Sequence, residues 1–579
     1  MQYVHNLLSM TGAGLTLQPF VSADGQRVVL FNGEIYNFKD FGAQYNSDGE
    51  CILPLYEQHG ADFVSLLDGE FAIVVVDYAN NTALYTTDVF GTKPLWVAVG
   101  GAQANAAYAA SLAARKRNGT ATGGDVGSPP PPAIGVATYP SALEGLGFAK
   151  GSAVQVLPNT ATVVSLDAPY ETLSTRRLYE FDLRQYKNTA DDWEAALMAA
   201  LRKRVEHVKH PVFVALSGGY DSGLISAGLM AQGFKHHTIT IVGDREDDIV
   251  YERTAKCGAL CMPRYFHLDV ADMRRERAWI DREVEPFTYS IPEPGTVRDR
   301  DGLGAGFGQT FKHYDIAEDE ASIGVSRIMR LARESGILVY LSGGGVDEIV
   351  TDYGFYGKPR YGHFSQSSFA GLFPQNLSDI YPWSNFFAGT QRAYLMKEEH
   401  VGSSHGVETR YPFLDVALVQ EFLWLTEPYK NALYKHPLDD VLTKLEYPFA
   451  RGVKMGFHIS PCWRSLEPLL GLPIWIGPVD PLGCGLRGLA LVVCYCVGAA
   501  CAAGAAVVGG AMLYRARCRR KAFSPGAESL PTSKGRPMRA LLMLETSTWH
   551  LRQRLRALLC ALSLALLAAL ALLLAPALL

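Results

Sequence analysis

Apolar and polar positions along this chain fall into three regimes. Up to about residue 185, short apolar runs alternate with turn residues, and stretches 27–31, 71–77 and 83–87 read as β-strands. Residues 51–59 instead space their apolar side chains helically. From about 186 to 465, apolar strands at 212–216, 238–242 and 338–341 alternate with helical stretches. The first such helix, 189–208, carries Asp191 and Asp192 at its start and basic residues near its end, matching the helix dipole. That alternation predicts a doubly wound parallel α/β domain. Past residue 486 the chain turns almost uniformly apolar, with runs 488–514 and 557–579 each long enough to cross a bilayer. Two further segments break the pattern. Residues 100–135, Ala/Gly-rich and ending in four prolines, predict an exposed insertion, and the Gly/Pro-rich stretch 292–308 predicts a mobile surface loop.

Three segments of the second regime carry chemistry. The strand at 212–216 runs into Leu216-Ser217-Gly218-Gly219-Tyr220-Asp221-Ser222 and then a helix, 222–230. Such a turn aims backbone N–H groups and the hydroxyls of Ser217 and Ser222 at one point near a helix N-terminus, an anion cradle. It is no Walker loop, because an acid stands where that loop carries lysine. An acid beside a phosphate cradle is sensible when a divalent cation sits between them. The plain alternative is a glycine turn in an α/β domain. A second strand leads into Ser342-Gly343-Gly344-Gly345-Val346-Asp347-Glu348, so both loops belong at carboxyl ends of parallel strands, where open sheets bind ligands. Asp347 reads as a metal ligand or as a helix N-cap. The third segment is Gly406-Val407-Glu408-Thr409-Arg410-Tyr411-Pro412-Phe413-Leu414-Asp415.

In that order these segments resemble the synthetase domain of the glutamine-hydrolysing asparagine synthetase family. The first regime resembles its amidotransferase half through Phe31-Asn32-Gly33-Glu34, Ser47-Asp48-Gly49-Glu50, Leu67-Asp68-Gly69-Glu70-Phe71-Ala72 and Asp88-Val89-Phe90-Gly91-Thr92-Lys93-Pro94. The resemblance covers roughly 5–100 and 140–460. It implies an N-terminal-nucleophile hydrolase sandwich (class II glutamine amidotransferase, residues 1–185), an ATP-pyrophosphatase domain of α/β type (186–465), and leaves an apolar helical tail (486–579) with two candidate spans. The implied reaction is ATP-dependent conversion of aspartate to asparagine through β-aspartyl-AMP, with nitrogen from glutamine or ammonia. The implied cofactors are ATP and Mg²⁺.

Residue by residue, the resemblance places Ser217, Gly218, Gly219 and Ser222 on pyrophosphate. It places Leu216, Val242, Ser342 and Gly343 along the adenosine, and Asp221 with Asp347 on Mg²⁺. Glu408 becomes a candidate base for the incoming ammonium, with a salt bridge to Arg410 as the alternative. Lys454 becomes a neutraliser of triphosphate charge, in a motif with one residue extra between Arg451 and Lys454. Asn32 and Gly33 would serve as oxyanion donors, and Glu34 and Asp48 as glutamine contacts. Three departures stand out. Gly344 replaces an acid common in the family. The basic residue the family places upstream of Glu408 falls near Asn385, with Arg392 or Lys397 as substitutes. The sequence opens Met1-Gln2-Tyr3, its first cysteine is Cys51, and Leu7 stands where an arginine would hold the glutamine carboxylate. Cys51 lacks an α-amine base and is a poor substitute nucleophile. The expectation is therefore a mis-assigned start or an enzyme using free ammonia.

Composition narrows the rest. The net charge of −5 and pI near 6.3 argue against a nucleic-acid partner. Of ten cysteines, six lie at or beyond Cys484, and the other four suit a reducing compartment with no disulfide framework. Cys257 and Cys261 lack a second pair, which argues against zinc. The expected location is cytoplasmic, anchored to a membrane if the tail spans one, and the expected assembly is a homodimer. Eleven basic residues against two acidic between Arg515 and Arg556 would keep that segment cytosolic and put the enzyme domains on the other side, which conflicts with cytosolic ATP. Two other readings compete. One is a different adenylate-forming ligase, such as one closing a β-lactam ring, which a tyrosine–glutamate pair beside the second glycine loop (Tyr353) would favour. The other is a silent membrane-tethered scaffold, against which the intact Ser217, Asp221, Ser222, Asp347 and Glu408 speak.

Overall fold

The structure, a computed structural model, describes residues 3–5, 8–12, 16–100, 133–242, 247–292, 311–359 and 369–453. The tail from 454 onward, with Lys454 and both candidate spans, lies outside them, as do Gly243 and the 293–310 loop. Among the described residues no helix is long and apolar enough to cross a membrane.

The N-terminal part is a sheet sandwich. It contains β1 (Phe20–Val21), β2 (Arg27–Ile35), α1 (Ile52–His59), β3 (Gly69–Asp77), β4 (Thr82–Thr87), β5 (Trp96–Gly100), β6 (Ala133–Ala137), α2 (Pro140–Gly145), β7 (Val154–Gln155), β8 (Thr160–Ser165) and β9 (Thr172–Arg177). Strands β1-β2-β3-β4-β8-β9 form an antiparallel sheet in that order, and β6-β5-β7 form a second. Period-two alternation explains the two layers. On β3, Phe71, Ile73 and Val75 enter a core with Ile52 and Leu55 of α1, while Ala72 and Val74 face Leu95 and Val97 around β5. Strand β6 begins at Ala133, inside the stretch read from composition as an insertion. There Gly135 admits Phe148 and Leu143, whose side chains would lie 2.6 and 2.8 Å from an added Cβ.

The second part alternates as its pattern predicts. It comprises α3 (Asp191–Lys203), β10 (Val212–Ala215), α4 (Tyr220–Ala231), β11 (His236–Ile241), α5 (Asp247–Cys257), β12 (Cys261–Phe266), α6 (Val270–Glu283), β13 (Thr288–Pro292), β14 (Phe311–Asp315), α7 (Glu320–Glu334), β15 (Val339–Leu341), β16 (Gly354–Phe355), β17 (Lys358–Pro359), α8 (Gly389–Ser404), β18 (Glu408–Arg410), α9 (Val416–Trp424), α10 (Glu427–Ala432) and α11 (His436–Lys444). The sheet order is β12-β11-β10-β15-β18, every pairing parallel. Helices α3, α4, α9 and α11 pack as one group, and α6, α7 and α8 as another. Successive strands move outward from β10 in opposite directions, so the switch point lies between β10 and β15, paired Val214 to Leu341. Helix α4 is buried on all sides, which explains why its sequence shows no polar face.

One sequence expectation fails within this domain. Cys257 and Cys261 are joined as a disulfide, their Cα atoms 5.5 Å apart, where no bridge was expected. The end of α5 and the start of β12 meet closely enough to bring the two sulfurs together.

Candidate active site at the switch point

Both glycine loops leave the sheet side by side. An added Cβ on Gly343 would lie 2.9 Å from Cβ of Asp221, so the second loop approaches the first at a position where only hydrogen fits. In the first loop the Ser217 amide donates to Ser222 Oγ at 3.1 Å, the two hydroxyls share a 3.0 Å hydrogen bond, and the Gly219 amide donates to Ser217 Oγ at 3.2 Å. The loop is thus tied internally while the first-turn amides of α4, which has no side-chain cap, face outward from its N-terminus. Leu216 holds the loop to β11: its amide donates to Ile239 O at 3.1 Å and its carbonyl accepts from Thr240 Oγ1 at 2.8 Å. Val242, at the end of β11, is buried and donates to Phe266 O at 2.8 Å.

Two residues that sequence reasoning missed complete this loop. Arg253 of α5, fully buried, donates to the carbonyls of Ser217 and Gly219 (3.0 Å for the latter) and to Pro448 O at 2.8 Å. Gly223 makes room for it, since a Cβ there would lie 2.6 Å from the guanidinium. Lys435 sits between the two expected metal ligands, its Nζ 2.6 Å from Asp221 Oδ1 and 2.8 Å from Asp347 Oδ1. Burial opposes its charge, but Asp221 and Asp347 outweigh that and hold its pKa well above the ordinary lysine value. It adopts a left-handed backbone, φ 52°, ahead of α11. No periodic or motif signal marks such a residue in advance.

The structure therefore brings Asp221 and Asp347 onto one cation position, now taken by an ammonium. Two hard carboxylate donors beside a phosphate-type cradle suit Mg²⁺, so the donor set fits the metal that the sequence implied. Asp347 is the first residue of a π-turn, Asp347–Thr351, whose cap position is Val346.

In the second loop the Ser342 amide donates to Arg410 O at 2.9 Å, and Ser342 Oγ accepts from the Gly344 amide at 3.0 Å. Its hydroxyl donates to Glu398 Oε2 at 2.6 Å. Glu398 comes from α8, and burial raises its carboxyl above the ordinary glutamate value. Glu408 is different. It lies 2.7 Å from Arg410 Nε, and Arg410 also reaches Glu34 at 3.1 Å. The salt-bridge alternative is the geometry found.

The positions around Asn385 all make contacts within the fold. Asn385 Nδ2 donates to Asp352 at 2.6 Å, Arg392 to Gln155 at 2.5 Å, and Lys397 to Asp319 at 2.8 Å. Tyr353 donates its hydroxyl to Glu348 Oε1 beside the second loop, both side chains buried.

In the N-terminal part, Asn32 and Gly33 lie on β2 opposite Ala72 and Phe71. Gly33 has φ 126°, and a Cβ there would fall 1.9 Å from Glu70 O. Glu34 accepts from Thr11 Oγ1 at 2.6 Å, and Asp48 from the Ile35 amide at 2.9 Å. Burial and its neighbour Asp48 hold Glu34 well above the ordinary range, and burial lifts Asp48 to about 6. Cys51 is fully buried, donates to Asp48 O at 3.0 Å, and has its thiol pushed up to about 12 by burial, the opposite of an activated nucleophile.

The two parts are clasped by ion pairs, those of Lys93 and Arg204 buried and that of Lys203 with Asp68 partly exposed. Lys93 donates to Glu399 at 2.8 Å and Thr409 O at 2.6 Å; Arg204 joins Glu70 at 2.8 Å and Asp415 at 3.0 Å; Lys203 joins Asp68 at 2.6 Å. The Tyr411 amide adds a 2.9 Å bond to Glu70.

A sandwich amidotransferase-type half clasped to a parallel sheet with twin glycine loops defines a two-domain, nucleotide-dependent amide-forming class. Family comparisons agree with that class. The family model described as "Glutamine amidotransferase domain" matches residues 1–122, and the one described as "Asparagine synthase" matches 192–389. The asparagine synthetase [glutamine-hydrolyzing] of Cricetulus griseus is 26% identical over 428 residues, covering 71% of this chain and 67% of its own. The putative asparagine synthetase [glutamine-hydrolyzing] 1 of Methanocaldococcus jannaschii is 24% identical over 479 residues, covering 80% of this chain and 76% of its own. The chain belongs to the asparagine synthetase family.

Proposed function

We propose that this chain is a carbon–nitrogen ligase that makes asparagine from aspartate at the expense of ATP. The observation that carries the reading is the convergence of Asp221 and Asp347 on one cation position at the switch point, 2.6 and 2.8 Å from Lys435 Nζ. The aspartate side-chain carboxylate attacks the α-phosphorus, giving β-aspartyl-AMP and pyrophosphate. Ammonia then attacks the acyl carbon, AMP departs, and a proton is lost to a base. Charge grows on the departing pyrophosphate, so fixed dipoles and hydroxyls aimed there lower the barrier. Ser217, Gly218, Gly219, Ser222 and the α4 N-terminus supply them, with Arg253 holding the loop carbonyls back. Leu216, Val242, Ser342 and Gly343 border the space assigned to adenosine. Asp221 and Asp347 are the residues that would hold Mg²⁺, whose chemistry is neutralisation of phosphate charge.

For the proton we assign Glu398 in place of Glu408. Glu408 is engaged by Arg410 at 2.7 Å, whereas Glu398 faces the second loop through Ser342. A carboxyl raised by burial is the better match to a base working near neutrality. Nitrogen comes from ammonia, either free or released from glutamine in the N-terminal half.

The test is pyrophosphate release by the full chain given aspartate and Mg-ATP, with ammonium or glutamine. Asparagine formation with either donor supports the reading. Glu398→Gln should cut asparagine formation at least tenfold while Glu408→Gln also perturbs the clasp. Release with neither donor would favour a second reading, suggested by the Tyr353–Glu348 hydrogen bond: an adenylate-forming ligase whose nucleophile is an amine within its own substrate. No release under any condition would overturn the asparagine reading and leave the silent scaffold or a ligase for a different acceptor.

A further inference from the structure

At the opposite, amino ends of the parallel strands lies a buried group of soft donors. His236 opens β11 and pairs in register with Cys261, which opens β12. Cys257 closes α5. Ligand atoms of His236, Cys257 and Cys261 all lie within 4.8 Å of one another, and all three residues are buried. We propose that His236, Cys257 and Cys261, in their dithiol form, bind a zinc ion, with the Ser226 hydroxyl as the fourth donor.

Three observations carry this. The first is ring orientation. His236 Nδ1 lies 3.1 Å from Phe234 O, which fixes the proton there and turns the unprotonated Nε2 toward the sulfurs. A backbone carbonyl on the far nitrogen is how metal-binding histidines are held. The second is spacing. Zn–S near 2.3 Å and Zn–N near 2.05 Å in a tetrahedron put nitrogen and sulfur about 3.5 Å apart. His236 Nε2 and Cys261 Sγ are 3.4 Å apart. Ser226 Oγ, 2.9 Å from Nε2 and 3.9 Å from Cys261 Sγ, would have to shift by about 0.4 Å to reach the about 3.3 and 3.5 Å edges expected of an oxygen donor. The third is support: Tyr447 donates to Ser226 Oγ at 3.0 Å, so the oxygen is positioned from outside the group. Binding would first require two-electron reduction of the Cys257–Cys261 disulfide by an external thiol or phosphine reductant, and the two thiols would then give up their protons to solvent as two thiolate–metal bonds form. Two sulfurs, one nitrogen and one oxygen, closed from solvent, make a structural site rather than a catalytic one. Its place is one helical turn from Arg253, which braces the first glycine loop, so the ion would anchor the foot of the helix that holds that loop.

The test is metal content of the full chain, expressed with zinc and purified with a phosphine reductant and no chelator. Mass spectrometry of the metal should give about one zinc per chain in the parent and in Cys51→Ser, and less than a fifth of that in His236→Ala and in the Cys257→Ser/Cys261→Ser double variant. Should those variants fail to fold, Co²⁺ exchanged into the parent should give thiolate-to-cobalt charge transfer and tetrahedral d–d bands. Zinc unchanged in His236→Ala, or no metal and no cobalt bands in parent chain whose Cys257 and Cys261 alkylate as free thiols after denaturation, would overturn the proposal.

Discussion

Replacing Lys93 by methionine tests the clasp between the two parts. The Lys93 and Glu399 side chains are 3% and 6% exposed, 2.8 Å apart, and Tyr411 adds a 3.0 Å hydrogen bond to the same carboxylate oxygen. Burial lifts the Glu399 carboxyl from 4.5 to about 7 even with Lys93 pulling it down. The folded value exceeds the unfolded one, so the native state binds more protons between those limits. Stability is therefore full below pH about 4.5 and falls as pH rises to about 7, by about 3 kcal/mol, and is then flat. Methionine removes the cation but keeps the burial, so the folded pKa climbs further and stability keeps falling above pH 7. At pH 8.5 the variant's penalty reaches about 5 kcal/mol against about 3 for the parent, an excess of about 2 kcal/mol that is absent at pH 5.5.

A second cost does not depend on pH. Thr409 O loses its 2.6 Å donor, about 1–3 kcal/mol for a buried carbonyl left unpaired. Urea unfolding followed by tryptophan fluorescence, at pH 5.5 and 8.5, separates the two. Adding Glu399→Gln should erase the pH-dependent part and leave the constant part. An equal loss at both pH values, or no recovery in the double variant, would refute the reasoning.

Four further outcomes follow from the geometry. Lys435→Met should increase Mn²⁺ affinity of the nucleotide-free chain at least tenfold by titration calorimetry, because the ammonium no longer neutralises Asp221 and Asp347, and Lys435→Met/Asp221→Asn should lose that gain. Gly343→Ala forces the two loops apart at a 2.9 Å contact and should lower pyrophosphate release more than tenfold with a stability change under about 2 kcal/mol, read from rate and melting curves. Cys51 should resist iodoacetamide in the native chain at pH 8 and react only on unfolding, since its thiol is buried and pushed up to about 12. Arg410→Lys keeps the charge but loses the fork that joins Glu34 and Glu408, and should cost about 2–4 kcal/mol in urea, with Arg410→Met worse.

What was legible in the sequence was whatever repeats or clusters locally. The β–α alternation gave the parallel sheet, because buried strands read as apolar runs. The two glycine loops could be placed at strand ends because glycine and acid follow each strand directly. Residues acting across the fold left no such trace. Lys435 lies 214 positions from Asp221, Glu398 lies 56 from Ser342, and only the topology brings them together. No spacing ties His236 to Cys257 and Cys261, because strand register sets His236 opposite Cys261. For Glu408 the sequence left two readings, a base or a salt bridge to Arg410, and the ion pair is the contact formed. Arg410, two residues on, is on the same side of a strand, and that alternation makes an ion pair the default. Strand β6 was hidden because Ala and Gly in its sequence are weak β-formers that pack here only by admitting Phe148 and Leu143.

The clasp also explains why several family motifs contain charged residues that touch no expected substrate position. Glu70, Lys93 and Arg410 each sit in a recognisable motif, and each spends its charge across the seam, while Asp415 holds Arg204 from within the second part. Arg410 is the most consequential. Its guanidinium meets Glu34 of the N-terminal part, while its backbone carbonyl receives the Ser342 amide of the second glycine loop at 2.9 Å. Glu34 is thus one residue removed from the loop that carries Asp347. Burial leaves Glu34 and Asp48 with raised pKa values beside that single guanidinium, so whatever binds or protonates them changes how firmly Arg410 is held. A strand three residues long, β18, has no slack with which to absorb that change before it reaches Ser342. The seam is therefore a continuous run of buried contacts from Glu34 in the N-terminal half through Arg410 to the second glycine loop, built from the same motif residues that identify the family.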